Sequence, residues 1–221
     1  MKYLTSKITY FNRGTTKSQR IRYKIVELIL KRITPSFYKK TVDSIRLTRK
    51  FFDMNRLTII PRPSIKAMKI YFNNKSVKGV EIGVKFGINA ESILKELNIE
   101  KLFLVDPWVN EAHLKEAFYR FRKSNKGVFI KEISSKAVSQ FKDNSLDFVY
   151  IDGNHSFDFV LEDIYLWYSK IKNNGIIAGH DVFVCEGVLD AVREFCFEKG
   201  IGYFVDYPDW YIIKREGVLI E

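Results

Sequence analysis

From Gly79 onward, short apolar runs alternate with longer stretches in which apolar residues recur at helical spacing. The runs 78–82, 101–106, 127–132, 146–152 and 174–180 are dense in Val, Ile, Leu and Phe and show no strict in–out alternation. Such runs predict strands buried on both faces, as in a parallel sheet covered by helices, because a half-exposed antiparallel sheet would alternate. Between and after them the periodicity predicts helices near 88–97, 110–124, 134–141, 156–171 and 186–199. Two final runs, 201–206 and 209–215, meet at Tyr207-Pro208 and predict an antiparallel closing pair. The order is that of an open α/β sheet.

The first 76 residues follow another rhythm. Ser18–Arg32 places Ile21, Ile25, Leu28 and Ile29 on one face and Arg/Lys on the other, which predicts a basic amphipathic helix. Pro35 ends it, a second helix is expected over 37–52, and Pro61 and Pro63 mark a joint before a helix at 64–73. The expected organisation is therefore a basic helical extension over 1–76 and an α/β domain over 77–221.

Charge sharpens this division. The net charge of +11 is the sum of two unlike parts. Residues 1–76 hold 19 Lys/Arg against 3 Asp/Glu, a balance of +16, and the remainder holds 18 against 23, a balance of −5. Such segregation points to a polyanionic partner for the N-terminal part. The 46% apolar share excludes a disordered or collagen-like chain. Cys185 and Cys196 are the two cysteines, too few for a disulfide framework or a cysteine-rich zinc site, and they suit a reducing compartment. No apolar run approaches the roughly 20 residues of a membrane span, and the first fifteen residues lack the apolar core of a secretion signal. A cytoplasmic location is expected.

Three constellations carry candidate chemistry. Glu81-Ile-Gly83-Val-Lys-Phe-Gly87 closes the first strand and opens a helix. Its glycines are either a tight turn or a place where backbone approaches a ligand at the carboxyl end of a parallel strand. Asp106, closing the second strand about 20 positions later, is placed to hold a ribose diol or to cap the following helix. The third is Tyr150-Ile-Asp152-Gly-Asn-His155-Ser156, echoed by Gly175-Ile-Ile-Ala-Gly-His180-Asp181. Two adjacent strand ends thus offer Asp152, His155, His180 and Asp181 to one crevice, an oxygen-rich set with imidazole that suits Mg²⁺, Mn²⁺ or a similar ion. Helix capping is the alternative role for the two histidines. His113 is expected at the surface.

On these residues the segment from about 77 to 215 resembles the class I S-adenosylmethionine-dependent methyltransferases, whose fold is a Rossmann-like seven-stranded, mostly parallel sheet with an antiparallel last strand and helices on both faces. The Asp-Gly-Asn-His and Gly-His-Asp pair is similar to the small metal-dependent O-methyltransferases related to the macrolide-sugar and catechol enzymes. The resemblance implies that Glu81, Gly83 and Gly87 take the methionyl part of S-adenosylmethionine and that Asp106 takes its ribose. It implies Asp152, His180 and Asp181 as ligands of a divalent metal and His155, with Asp152, as the catalytic pair. Catechol-type enzymes have Asp-Asn where this chain has His180-Asp181. After the third strand, where relatives often carry an acid near the adenine, Ile133 precedes Ser134, so adenine contact is expected from Ser134, backbone and apolar groups.

The implied reaction is methyl transfer to a hydroxyl of a small molecule, sugar or glycan. Two other classes are carried. A nucleic-acid methyltransferase or RNA-binding protein would use the basic N-terminal part for phosphate affinity, although neither an Asn/Asp-Pro-Pro-Tyr motif nor a catalytic Cys motif is present. A non-catalytic cofactor-binding scaffold would dock through the same part to a partner or to the inner membrane surface. An N-terminal helical region is also suited to a contact between copies of the chain.

Overall fold

The computed structural model describes residues 60–182 and 184–215. The helices expected at 18–32 and 37–52, and nearly all of the basic extension, lie outside the described residues. The elements run α1 (Pro63–Phe72), β1 (Val77–Ile82), α2 (Ile88–Glu96), β2 (Ile99–Val105), α3 (Glu111–Phe121), β3 (Gly127–Ile130), α4 (Ser134–Ala137), β4 (Leu146–Ile151), α5 (Phe157–Tyr168), β5 (Ile171–Gly179), α6 (Glu186–Lys199), β6 (Phe204–Asp206) and β7 (Asp209–Ile213). A 3₁₀ turn, Val138–Gln140, extends α4.

The seven strands form one sheet in the order β3-β2-β1-β4-β5-β7-β6. The first five are parallel, and β7 runs antiparallel to both β5 and β6. This is the open α/β sheet that the alternation of apolar runs and helical stretches leads one to expect, with the Rossmann-like seven-stranded order and antiparallel last strand that the resemblance implies. Every residue of β4 is buried, as a central strand covered on both faces requires. One apolar cluster gathers β4, α5 and α6 around Trp167, Phe195 and Trp210, and the other gathers α1, α2 and α3 around Met68, Phe121 and Phe148.

The domain core reaches further toward the N-terminus than residue 77. Helix α1 begins with Pro63 at its first turn, where the missing N–H costs nothing, and Ile65 and Met68 are fully buried. Full burial of two such side chains stabilises by about 1.5–3 kcal/mol each. Its Ser64 backbone N–H donates to the Asp209 carboxylate at 3.0 Å, and the Ser64 hydroxyl donates to the same oxygen. The segment 63–72, read from sequence as the end of the extension, thus packs against β7 and completes the sheet's second layer.

The strand order reverses direction between β1 and β4, which pair in the register Glu81↔Tyr150 and Ile82↔Ile151. Helices leave such neighbours toward opposite faces, and a crevice opens outside their carboxyl ends. The chain segments that follow β1, β2, β4 and β5 all end on that side.

Candidate functional site

Glu81 sits at the end of β1 with 1% of its surface exposed. Burial pushes its carboxyl up to about 8, although the Asn89 amide donates to Oε1 at 3.0 Å and pulls the other way. Its second oxygen, Oε2, has no hydrogen-bond partner, nor has Asn89 Oδ1. Buried polar atoms left unpaired in this way mark a place for a polar ligand group. Gly83 follows at φ +81°, and a Cβ there would lie 2.1 Å from the Asp152 carbonyl oxygen. Glycine is therefore required for the β1 turn to pass over the end of β4. Gly87, at φ +76°, caps α2.

Asp106 follows β2. Its Oδ2 accepts the Lys85 N–H at 2.9 Å and its Oδ1 accepts the Trp108 N–H at 2.6 Å. Both the glycine turn and the start of the next loop are thereby tied to this carboxylate, and the Trp108 indole N–H reinforces the tie by donating to the Lys85 carbonyl. A carboxylate offers about four acceptor positions, so two remain for the vicinal hydroxyls of a ribose. Ser134, at the start of α4, donates its hydroxyl hydrogen to Asp163 Oδ1 at 2.5 Å and accepts the Trp167 indole N–H at 2.8 Å. Its hydroxyl locks α4 to α5 and has no hydrogen left to give an adenine ring while those bonds stand. Burial raises the Asp163 carboxyl to about 6. His113 is half-buried on α3, with its ring 4.3 Å from that of Phe86.

The ends of β4 and β5 bring Asp152, His155, His180 and Asp181 together. His155 Nε2 lies 3.4 Å from Asp152 Oδ1 and 3.1 Å from Asp181 Oδ2, and no hydrogen bond to either is aligned. His180 Nδ1 lies 2.9 Å from Asp181 Oδ1 and 3.9 Å from Asp152 Oδ1. The Asp152 carboxylate raises the His155 imidazole above its ordinary value against the opposing effect of burial, and Asp181 adds to the rise. Burial works to raise Asp181, yet the two imidazoles and Arg62 hold it below the usual carboxylate range. One donor atom each from Asp152, His180 and Asp181 falls within 4.8 Å of the others. Two carboxylates and an imidazole at that spacing fit a divalent cation.

Arg62, Tyr150 and Asp209 complete the crevice, and none was singled out from sequence for this role. Arg62, between the two prolines of the joint, directs Nη1 to Asp152 Oδ2 at 2.9 Å and donates to the Tyr150 hydroxyl oxygen at 3.0 Å. Tyr150 in turn donates to Asp209 Oδ1 at 3.3 Å. Arg62 Nε is buried without a partner. Burial raises Asp209 to about 6, against the donors that surround it. Cys185, just after the β5 turn, stands beside His155 and Asp181. Tyr150 was visible as part of the Tyr-Ile-Asp run, but an Arg between prolines carries no chemical signal of its own.

Comparisons with known proteins converge on the same domain type. Residues 80–182 match the family Methyltransf_24, described as a methyltransferase domain. A protein of Sinorhizobium fredii named uncharacterized protein y4gI is 24% identical over 148 residues, covering 56% of this chain, and the match spans only 16% of that relative's length. Among solved structures, one from Corynebacterium glutamicum superposes with a TM-score of 0.57 at 15% identity, covering 88% of this chain and 97% of the other. The O-methyltransferase NovP gives 0.53 at 18% identity over 69% of this chain and 78% of its own. A Staphylococcus aureus protein assigned as a caffeoyl-CoA O-methyltransferase gives 0.56 at 16% identity over 84% and 99%. At these identities the superpositions speak to the fold.

Proposed function

We propose that this chain, which carries a class I S-adenosylmethionine-dependent methyltransferase domain, transfers the methyl group to a hydroxyl of a small molecule or of a sugar or glycan. The observation that carries the reading is the convergence of Asp152, His155, His180 and Asp181 at two adjacent strand ends, beside the crevice lined by Glu81, Gly83 and Asp106. When bound, the cofactor supplies an electrophilic methyl on a positively charged sulfur.

The protein's own contribution is position and proton transfer. Asp106 offers its free acceptor positions to the ribose hydroxyls, and the unpaired Glu81 and Asn89 oxygens face the methionyl end. His155 Nε2, held between two carboxylates, accepts the proton of the acceptor hydroxyl. Asp152 and Asp181 stabilise the imidazolium that forms. Asp152, His180 and Asp181 would hold a divalent cation, whose charge lowers the pKa of a coordinated hydroxyl. The His180 ring carries the site's nitrogen donor where catechol-type relatives have an oxygen donor.

The test is a methyl-transfer screen over catechols, sugars and other hydroxylated acceptors, with and without EDTA, read by product mass. Turnover is expected with at least one acceptor class and should fall sharply for His155→Gln. Because the neighbouring carboxylates raise His155, the neutral, proton-accepting form gains population as pH rises past the ordinary histidine value of about 6.5. The kcat/KM profile should climb through that region and flatten above it. Full activity in EDTA would remove the metal from this reading, and binding of S-adenosylmethionine without turnover on any acceptor would favour a scaffold. The +16 balance of residues 1–76 supports recruitment to a polyanion as a second element of function, with RNA or an anionic membrane surface as the partner and a cytoplasmic, peripheral location. Among the described residues no helix is long and apolar enough to cross a membrane.

A further inference from the structure

After β5 the chain turns at Asp181, whose φ is +64°. The Asp181 carbonyl accepts the N–H groups of Val184 at 3.1 Å and Cys185 at 3.0 Å. This turn sets the Cys185 thiol against the outer edge of the crevice, so that one donor atom each of His155, Asp181 and Cys185 lies within 4.8 Å of the other two. Ligand atoms of a tetrahedral zinc ion sit ~3.3–3.8 Å apart, given metal–ligand lengths near 2.0–2.3 Å. Small side-chain movements would close the cluster to that size. The His155 Nε2 atom is buried with no aligned hydrogen bond and lies 3.1 Å from Asp181 Oδ2, so that an ion bound there would meet the imidazole and that carboxylate together.

The donor types differ from those of the neighbouring set. Sulfur, imidazole and one carboxylate select a borderline, thiophilic ion, whereas Asp152, His180 and Asp181 offer mostly oxygen and suit a harder one. Both sets require Asp181.

We propose that His155, Asp181 and Cys185 form an inhibitory site for a zinc-type divalent cation. The ion takes the Nε2 lone pair that otherwise accepts the substrate's proton, draws Asp181 away from the oxygen-rich set, and keeps a fourth position for water. Coordination releases the thiol proton to solvent. The inhibitory consequence rests on the reading of His155 as proton acceptor, while binding itself does not.

The experiment uses the full chain stripped of metal, with Co²⁺ as a spectroscopic substitute for Zn²⁺ and no cofactor or acceptor present. A near-ultraviolet thiolate-to-cobalt band is expected in the parent, lost in Cys185→Ser and in His155→Gln, and retained in Asp152→Asn. Zn²⁺ should also protect one cysteine from iodoacetamide, read by mass. Cys196 is 2% exposed, so the label reports Cys185. In the magnesium-supplied enzyme Zn²⁺ should remove most turnover, and Cys185→Ser should keep both its zinc-free rate and most of that rate in Zn²⁺. Cobalt bound with no thiolate band, or alkylation indifferent to Zn²⁺, would overturn the site. Band and protection with unimpeded turnover would overturn its inhibitory role. A protein that methylates nothing yet shows the band would leave the site standing and remove the functional reading.

Discussion

Arg62 holds a cation beside a crevice that also contains the carboxylates of Asp152, Asp181 and Asp209, and its side chain is only 14% exposed. Taking a guanidinium out of water is costly, but Asp152, the Tyr150 hydroxyl and Asp209 favour its charged form strongly enough to raise its pKa further. Removing one partner of such a buried pair leaves the other uncompensated, a loss of about 3–5 kcal/mol. Arg62→Met is therefore expected to lower the melting temperature. Arg62→Lys should recover part of the stability, since an ammonium restores charge without the planar fork. Equal stability of Arg62→Met and parent in thermal unfolding would show that the pair contributes nothing. Glu81 makes a different demand. Burial raises it from its ordinary 4.5 to about 8, so the folded chain keeps a proton that the unfolded chain releases above pH 4.5. The unfolded state then binds fewer protons, and stability falls as pH rises between about 4.5 and 8. Glu81→Gln removes that drift. The difference in urea midpoint between variant and parent, measured without cofactor, should be small near pH 4.5 and widen toward pH 8, and a constant difference across the window would count against a buried protonated Glu81.

Among the elements, the turn after β1 depends most directly on one side chain being absent. Gly83→Ala would bring a Cβ to 2.1 Å from the Asp152 carbonyl oxygen at a φ of +81°, so the β1 turn and the end of β4 cannot both keep their places. A loss of about 1–3 kcal/mol is expected from the overpacking alone, together with weakened cofactor binding, because the same shift moves Asp152 and the loop tied to Asp106. Gly87→Ala is the control. Its Cβ would meet Ala117 at 3.3 Å, and its cost should be nearer the ~1 kcal/mol of an unfavourable left-handed residue. If the two variants melt alike, the close approach is not what fixes Gly83. These turns also show how far sequence reaches. The strands were legible because they are dense in apolar residues where they cross the core: β4 is buried throughout, as are the last four residues of β1 and the last five of β5. The Asp-Gly-Asn-His and Gly-His-Asp ends were legible because polar residues terminate those runs abruptly. Helix α1 was legible as a helix, yet its membership of the core was not, since its Lys66 and Lys69 read like the basic stretch before it while Ile65 and Met68 are buried in the apolar cluster on that side of the sheet. Ser134 was read toward the ligand, whereas the structure gives its hydroxyl to Asp163 and Trp167, a pairing between residues some thirty positions apart that no local pattern announces. Arg62 and Asp209 were illegible for the same reason: their partners lie 88 and 145 positions away.

For the molecule as a whole, charge and core do not divide at the same place. The basic balance of residues 1–76 ends with α1 and the joint before it, and these already belong to the catalytic domain through Ser64, Ile65 and Met68. Arg62 is thus the last cation of the basic stretch before α1, and it is spent inside the crevice rather than offered to a partner. Lys66 on α1 is exposed, and Lys69 pairs with Glu96 at 2.9 Å with more than half of its side chain in solvent. A polyanion recruited by the N-terminal part would therefore meet its cations before the joint and leave the candidate site, whose charged groups are largely buried and locally paired, untouched. The two activities should part company in salt, since contacts to a polyanion weaken steeply with ionic strength while buried pairs are screened little. With the full chain, binding to single-stranded RNA and to anionic vesicles is expected to fall by an order of magnitude or more between about 50 and 200 mM salt for whichever is the partner. Over the same range, turnover on a small neutral acceptor should change less than about twofold. Salt-independent binding to both polyanions, or no binding to either at low salt, would mean that the charge of the first 76 residues serves only to solvate them.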